Sequence, residues 1–89
     1  MIGRRLPDNT IPTSPGEYSW MSYAVRQHHH PDEQGDGEWW VCDPHGEFYR
    51  LVQRVHQWIT YDDGTISITP SIVAPNGNYH GFLQRGVWS

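Results

Sequence analysis

Nine glycines and seven prolines, 16 of the 89 residues, punctuate the whole chain. Each proline fixes φ and removes a backbone donor, and each glycine marks a place where the chain turns freely. This punctuation leaves little room for long helix and predicts short extended runs joined by many turns.

The punctuation is heaviest at the start. Pro7, Pro12 and Pro15 stand among Asn9, Thr10, Thr13, Ser14 and Gly16, a pattern that excludes helix and central strand alike. Residues 1–16 therefore read as an extended arm. Ile2, Leu6 and Ile11 in that arm are apolar, and the expectation is that they dock in a groove on a neighbouring copy or on a scaffold.

Glu17 to Val25 alternates aromatic and small residues on both parities, which suits a strand. Residues 27–37 form a polar loop with His28, His29, His30, Pro31, Asp32, Glu33 and Asp36. The apolar run Glu38 to Cys42 stops at Asp43-Pro44-His45-Gly46. There Asp bonds the backbone ahead and Gly takes positive φ, so Glu47 to Val52 returns as a second strand. His56 to Tyr61 and Thr65 to Thr69 flank Asp62-Asp63-Gly64, the strongest hairpin pattern in the chain. Pro70 ends that run. Ile72-Val73 leads into the turn Pro75-Asn76-Gly77-Asn78, and Tyr79 to Leu83 and Val87-Trp88 flank Gln84-Arg85-Gly86 as a last hairpin.

One stretch has a rival reading. Leu51, Val52, Val55, Trp58 and Ile59 fall at helical spacing, but the β-branched content and short bounds of 51–59 favour strand. The expected fold is all-β: a single small sandwich or open barrel of about six to seven short strands over residues 17–89, preceded by the extended arm.

A chain of 89 residues builds one core, and five Trp, five Tyr and two Phe supply large buried areas for it. A single cysteine excludes a disulfide scaffold. No window approaches the ~20 apolar residues of a spanning helix, so no membrane partner is expected. Six arginines, no lysine and ten acids give a net charge of -4. No basic stripe is present to displace counterions from phosphate, so no nucleic-acid partner is expected. The replacement of every lysine by arginine fits a GC-rich coding genome. Met1 to Pro7 carries two arginines with no apolar run behind them, so no export signal is read. The expected location is the cytoplasm or a particle assembled there.

Cys42 and His45 have zinc-ligand spacing, and His80 with His56 or Asp43 would complete a four-ligand set. Cys42 with His45 or His80 also forms a nucleophile–base pair on paper, but nothing supplies an oxyanion hole or an orienting third group. His28 to His30 reads as a solvated tract with loose metal affinity. Asp32, Glu33, Asp36 and Glu38 lack the calcium-loop pattern. Gly35-Asp36-Gly37 opens no helix and so is no phosphate loop. The expectation is therefore no catalytic residue and no cofactor. A metal-dependent enzyme using Cys42, His45 and His80 is the trailing alternative. Trp and Arg are the residues that anchor interfaces, which singles out Trp58, Trp88 and Arg85, with His80 and Phe82 on the closing hairpin, as expected binding residues.

The blocks Asp63-Gly64-Thr65-Ile66-Ser67-Ile68-Thr69-Pro70-Ser71-Ile72 and His80-Gly81-Phe82-Leu83-Gln84-Arg85-Gly86-Val87-Trp88 resemble a family of small proteins common in actinobacterial phages. That family is related to a domain of unknown function linked to bacterial ubiquitin-like operons. In it a DGT hairpin leads into PSI, and a His opens the closing strand–turn–strand. Trp39-Trp40 and Asp43-Pro44 with Gly46 are similar too, so the resemblance covers about residues 38–89. It implies a compact β domain and a phage or prophage source, and no established activity. Some relatives carry a cysteine-rich cluster after the first strand, where this chain has only Cys42 and His45.

Taken together, these features lead to the expectation of a phage-encoded, non-catalytic interaction module in the host cytoplasm or the assembled phage particle. It would bind a host protein or small ligand, or assemble with itself as a homo-oligomer. A virion-associated structural protein, such as a capsid decoration or minor component, is the second expectation.

Overall fold

The computed structural model describes residues 1–22 and 37–89. The expectations for His28 to His30, for Asp32 to Asp36 and for the end of the first long strand lie outside the described residues. The described chain is all-β and contains no helix. Its strands are β1 (Arg4–Arg5), β2 (Glu17–Ser22), β3 (Gly37–Cys42), β4 (Phe48–Leu51), β5 (Gln57–Thr60), β6 (Ile66–Thr69), β7 (Ile72–Val73), β8 (His80–Gly81), β9 (Leu83–Gln84) and β10 (Val87–Trp88). They outnumber the expected strands because the closing segment breaks into two-residue pieces and the arm contributes β1. The helical reading of 51–59 fails: β4 ends at Leu51, Val55 and His56 both donate to the Val52 carbonyl in a tight turn, and β5 follows.

The main sheet has the order β1-β2-β3-β4, with β1 parallel to β2 and the rest antiparallel. Its register sets Tyr18 opposite Val41, Val41 opposite Tyr49, Trp20 opposite Trp39 and Trp39 opposite Leu51. Opposed residues share a face, so these six side chains line one side. Three two-stranded ribbons, β5-β6, β7-β8 and β9-β10, bring Ile66, Ile68, Ile72, Tyr79, Leu83 and Trp88 against it. Trp39 sits at the centre of a ring cluster, 5.2 Å from Trp20, 6.0 Å from Tyr18 and 6.5 Å from Trp58. Edge-on aromatic contacts of this kind let a polar chain hold a core with few residues.

The turns follow local chemistry. Tyr61 N–H donates to Thr65, Gly64 N–H donates to Tyr61, and Asp63 Oδ1 accepts from Thr65 N at 3.0 Å and Oγ1 at 2.6 Å. Gly64 has φ +86°, and a Cβ there would meet no atom within 4 Å. The cost of a side chain at Gly64 is therefore backbone strain alone. Gly64→Val is expected to lower stability by about 1 kcal/mol or more, read as a lower melting midpoint.

The arm lies along its own domain, where Leu6 is buried while Ile2 and Ile11 stay exposed. Met1 N donates to Trp88 O at 3.0 Å, Trp88 N to Met1 O at 2.8 Å and Gly3 N to Gly86 O at 2.7 Å. Beyond Gly3 the same segment changes partner. Arg4 N donates to Gly16 O and Leu6 N to Tyr18 O, and Leu6 is buried. Residues 1–6 thus join the β9-β10 ribbon to the main sheet. Residues 7–15 then cross the reverse face of β2. Asn9 N donates to Trp20 O, Ser19 Oγ donates to Thr10 O, and Pro12 is buried. The physical reason is polar demand. The prolines lack donors, but Ser19 and Glu17 on the reverse face need partners, and the arm's backbone supplies them.

Glu17 Oε1 accepts from Thr13 N at 3.1 Å and Ser14 N at 2.9 Å, with Arg4 3.6 Å from its other oxygen. The two backbone donors hold its carboxyl below the ordinary value of 4.5. A group with a depressed folded pKa adds stability above its unfolded pKa and loses it on acidification. The melting temperature is expected to fall as pH drops below 4.5, and less steeply in Glu17→Gln.

Candidate interaction surface

The closing hairpin turns through Arg85 and Gly86, both at positive φ (+46° and +75°), which is the twist a two-residue hairpin loop needs. Its register sets Leu83 opposite Trp88 and Gln84 opposite Val87. Leu83 and Trp88 face the core, so Gln84 and Val87 face out. Phe82 and Ser89 exchange backbone hydrogen bonds and continue the outward set. In the adjoining ribbon Val73 lies opposite His80, and both are exposed. Ile2 bridges to Val87 and is 85% exposed. The outward side of this region therefore carries the side chains of Ile2, Val73, His80, Phe82, Gln84 and Val87, none of them a carboxylate, ammonium or guanidinium group. His80 Nε2 lies 3.0 Å from Ser71 Oγ.

Arg85 belongs to a different cluster. Its guanidinium sits 4.1 Å above the Tyr61 ring, and its backbone N–H donates to Ser67 Oγ at 2.9 Å. The Tyr61 hydroxyl lies 3.0 Å from the same Ser67 oxygen. Thr60, Tyr61, Asp62, Asp63 and Arg85 line an open cleft of about 440 Å³. Asp63 also borders a second cleft of about 540 Å³, where Arg5 donates to Gly64 O at 2.8 Å.

Of the residues expected to bind, His80 and Phe82 share the outward face, and Arg85 sits apart on Tyr61. Trp88 is 1% exposed, with its indole N–H donating to Gly16 O at 3.0 Å and its ring edge-on to Tyr79. Trp58 is half-buried, packed on Trp20 and Trp39. Sequence reasoning singled out Ile2 as a docking residue of the arm and missed Val73, Val87 and Tyr61. Strict alternation through the last hairpin would have found Val87, since it neighbours inward Trp88.

The zinc set is not assembled. Cys42 is buried in β3, His45 stands exposed on the turn beside Tyr79, and His80 contacts Ser71. Asp43 is fully buried, and its Oδ1 accepts from His45 N at 2.9 Å and Glu47 N at 3.0 Å, so it organises the turn. Among the described residues no group of three or more His, Cys, Asp or Glu is placed to hold a metal ion.

Burial pushes Cys42, Tyr49 and His56 toward their neutral forms. Burial, then the Asp43 and Glu17 charges, raises the Cys42 thiol above its ordinary value. Burial first and Asp43 next hold Tyr49 protonated, and burial lowers His56. Cys42 is expected to react with a thiol reagent at neutral pH only as fast as the domain unfolds; rapid labelling of native protein would contradict this.

No family model, curated protein or solved structure matches the chain.

Proposed function

We propose that this chain is a non-catalytic interaction module that engages a protein through the outward face of its closing hairpin. The observation that carries the reading is the exposed apolar surface of that face. Val73 and Val87 stand outward on strands, with Ile2 bridged to Val87 and Phe82 bonded to Ser89 beside them, on a chain whose net charge is -4. Apolar side chains held on rigid strands bind with little ordering cost, and His80 and Gln84 add directed polar groups between them. The thiol and phenols pushed toward their neutral forms support a binding role over nucleophilic chemistry. The two blocks that resemble the phage family support a phage setting.

A photo-crosslinking residue at Phe82 is expected to yield one defined protein adduct in the cell that makes the chain. The same residue at Asn76, on the exposed turn after Ala74, is expected to yield none. No adduct at position 82, or equal adducts at both positions, would overturn the reading. Recovery of the adduct in purified particles would place the module in the virion.

A further inference from the structure

β5 is the outer strand of its ribbon, with β6 on one side and no strand on the other among the described residues. Exposed edges invite pairing, and soluble proteins usually guard them with charge, proline or a bulge. Gln57-Trp58-Ile59-Thr60 has none of these, and Ile59 is 61% exposed. The direction of its free backbone groups follows from the hairpin. Tyr61 N–H donates to Thr65, so Tyr61 and Thr65 form a bonded pair. Bonded and non-bonded pairs alternate along an antiparallel ladder. Ile59 and Gln57 therefore bond to β6, and Trp58 and Thr60 aim their N–H and C=O groups away from it.

We propose that β5 is a strand-addition edge and that its occupant is a second copy of this chain, paired antiparallel about a two-fold axis. The inference goes beyond the closing-hairpin reading and assigns a second contact surface to the same chain. Outward groups must meet outward groups, which fixes the register. Trp58 and the second copy's Thr60 exchange hydrogen bonds, symmetry repeats the exchange, and Ile59 meets the second copy's Ile59 on the axis. The same register sets the Val52–His56 turn of each copy beside the Asp62–Asp63 turn of the other. Arg54 is exposed on the first turn and Asp62 on the second, and neither makes an ion pair among the described residues. Opposite charges thus meet at both ends of the shared edge, on a strand that carries no charge of its own. The contact is a short one, of the size that gives weak, concentration-dependent dimers.

Light scattering and sedimentation of the full chain across a hundredfold range of concentration test this. The expected result is a monomer–dimer equilibrium. Thr60→Pro removes an outward N–H while sparing the bonds to β6, so it is expected to abolish the dimer and leave the melting transition in place. Arg54→Asp and Asp62→Arg are each expected to weaken the dimer at least tenfold, and an equimolar mixture of the two to recover it as a heterodimer. A monomer at every concentration would overturn the inference, and so would a dimer indifferent to all three substitutions. The crosslinking at Phe82 judges the module reading separately. A dimer lost in Phe82→Asp but kept in Thr60→Pro would refute the β5 edge and leave that reading standing.

Discussion

Removal of residues 1–6 is expected to cost at least about 3 kcal/mol of folding stability, taking most of the β circular-dichroism signal with it at physiological temperature. The deletion removes the bonds that Met1, Gly3, Arg4 and Leu6 make to Trp88, Gly86, Gly16 and Tyr18. It also removes buried Leu6, worth about 2 kcal/mol by transfer, and the Arg5 contacts to Gly64 and the Trp39 ring. What remains is a three-stranded sheet that loses its backbone tie to the β9-β10 ribbon, which then holds to β6 and, through the Trp88 indole, to Gly16. An arm serving a neighbour would behave oppositely, with the domain still folded and only its assembly impaired. An unchanged melting midpoint after deletion would contradict the stitched arrangement.

Trp88→Ala is expected to be as damaging, at about 3–5 kcal/mol. Trp88 is almost wholly enclosed, meets Tyr79 edge-on and donates its indole N–H to Gly16 O. The substitution opens a cavity and removes one of the two donors to that carbonyl, which keeps the Arg4 N–H. Trp88→Phe refills most of the volume but cannot donate, so it is expected to fall between wild type and alanine in urea unfolding. Gly3 lies against the same indole. A Cβ at Gly3 would approach Gly86 O to 2.8 Å and Trp88 Nε1 to 3.0 Å, so backbone and ring leave no room for one.

The parts legible in the sequence were those set by a few adjacent residues. Asp62-Asp63-Gly64, Asp43-Pro44-His45-Gly46 and Arg85-Gly86 announce turns because side-chain capping and positive φ are local chemistry. The all-β character follows from those turns and the β-branched runs between them. The arm was not legible, because its partners are Trp88 and Gly86 in one direction and Tyr18 in the other. No pattern within 1–16 encodes bonds that distant. For the surface, His80 and Phe82 were singled out by residue type on the closing hairpin, and their alternation with buried Gly81 and Leu83 is what sets them outward. Trp88 was misplaced on the strength of its residue type, although its opposition to Leu83 sets it inward. Cys42 and His45 show why spacing is not placement. The Asp43 turn leaves the thiol in a buried strand and carries the imidazole out to solvent.

The pairing of residues 1–3 with 86–88 also dictates when this domain can form. On a ribosome the first segment emerges long before its partner exists, and through that interval the Gly3 N–H and the Met1 carbonyl lack the partners they have in the fold. Neither the β9-β10 ribbon nor the Trp88 contact to Gly16 can be made until the last hairpin has cleared the exit tunnel. Folding then waits on residues 86–88 and is slowed by closing the 87-residue separation between Met1 and Trp88. A product that stalls before Val87 keeps an unjoined sheet whose open edges are exposed to proteases and to aggregation.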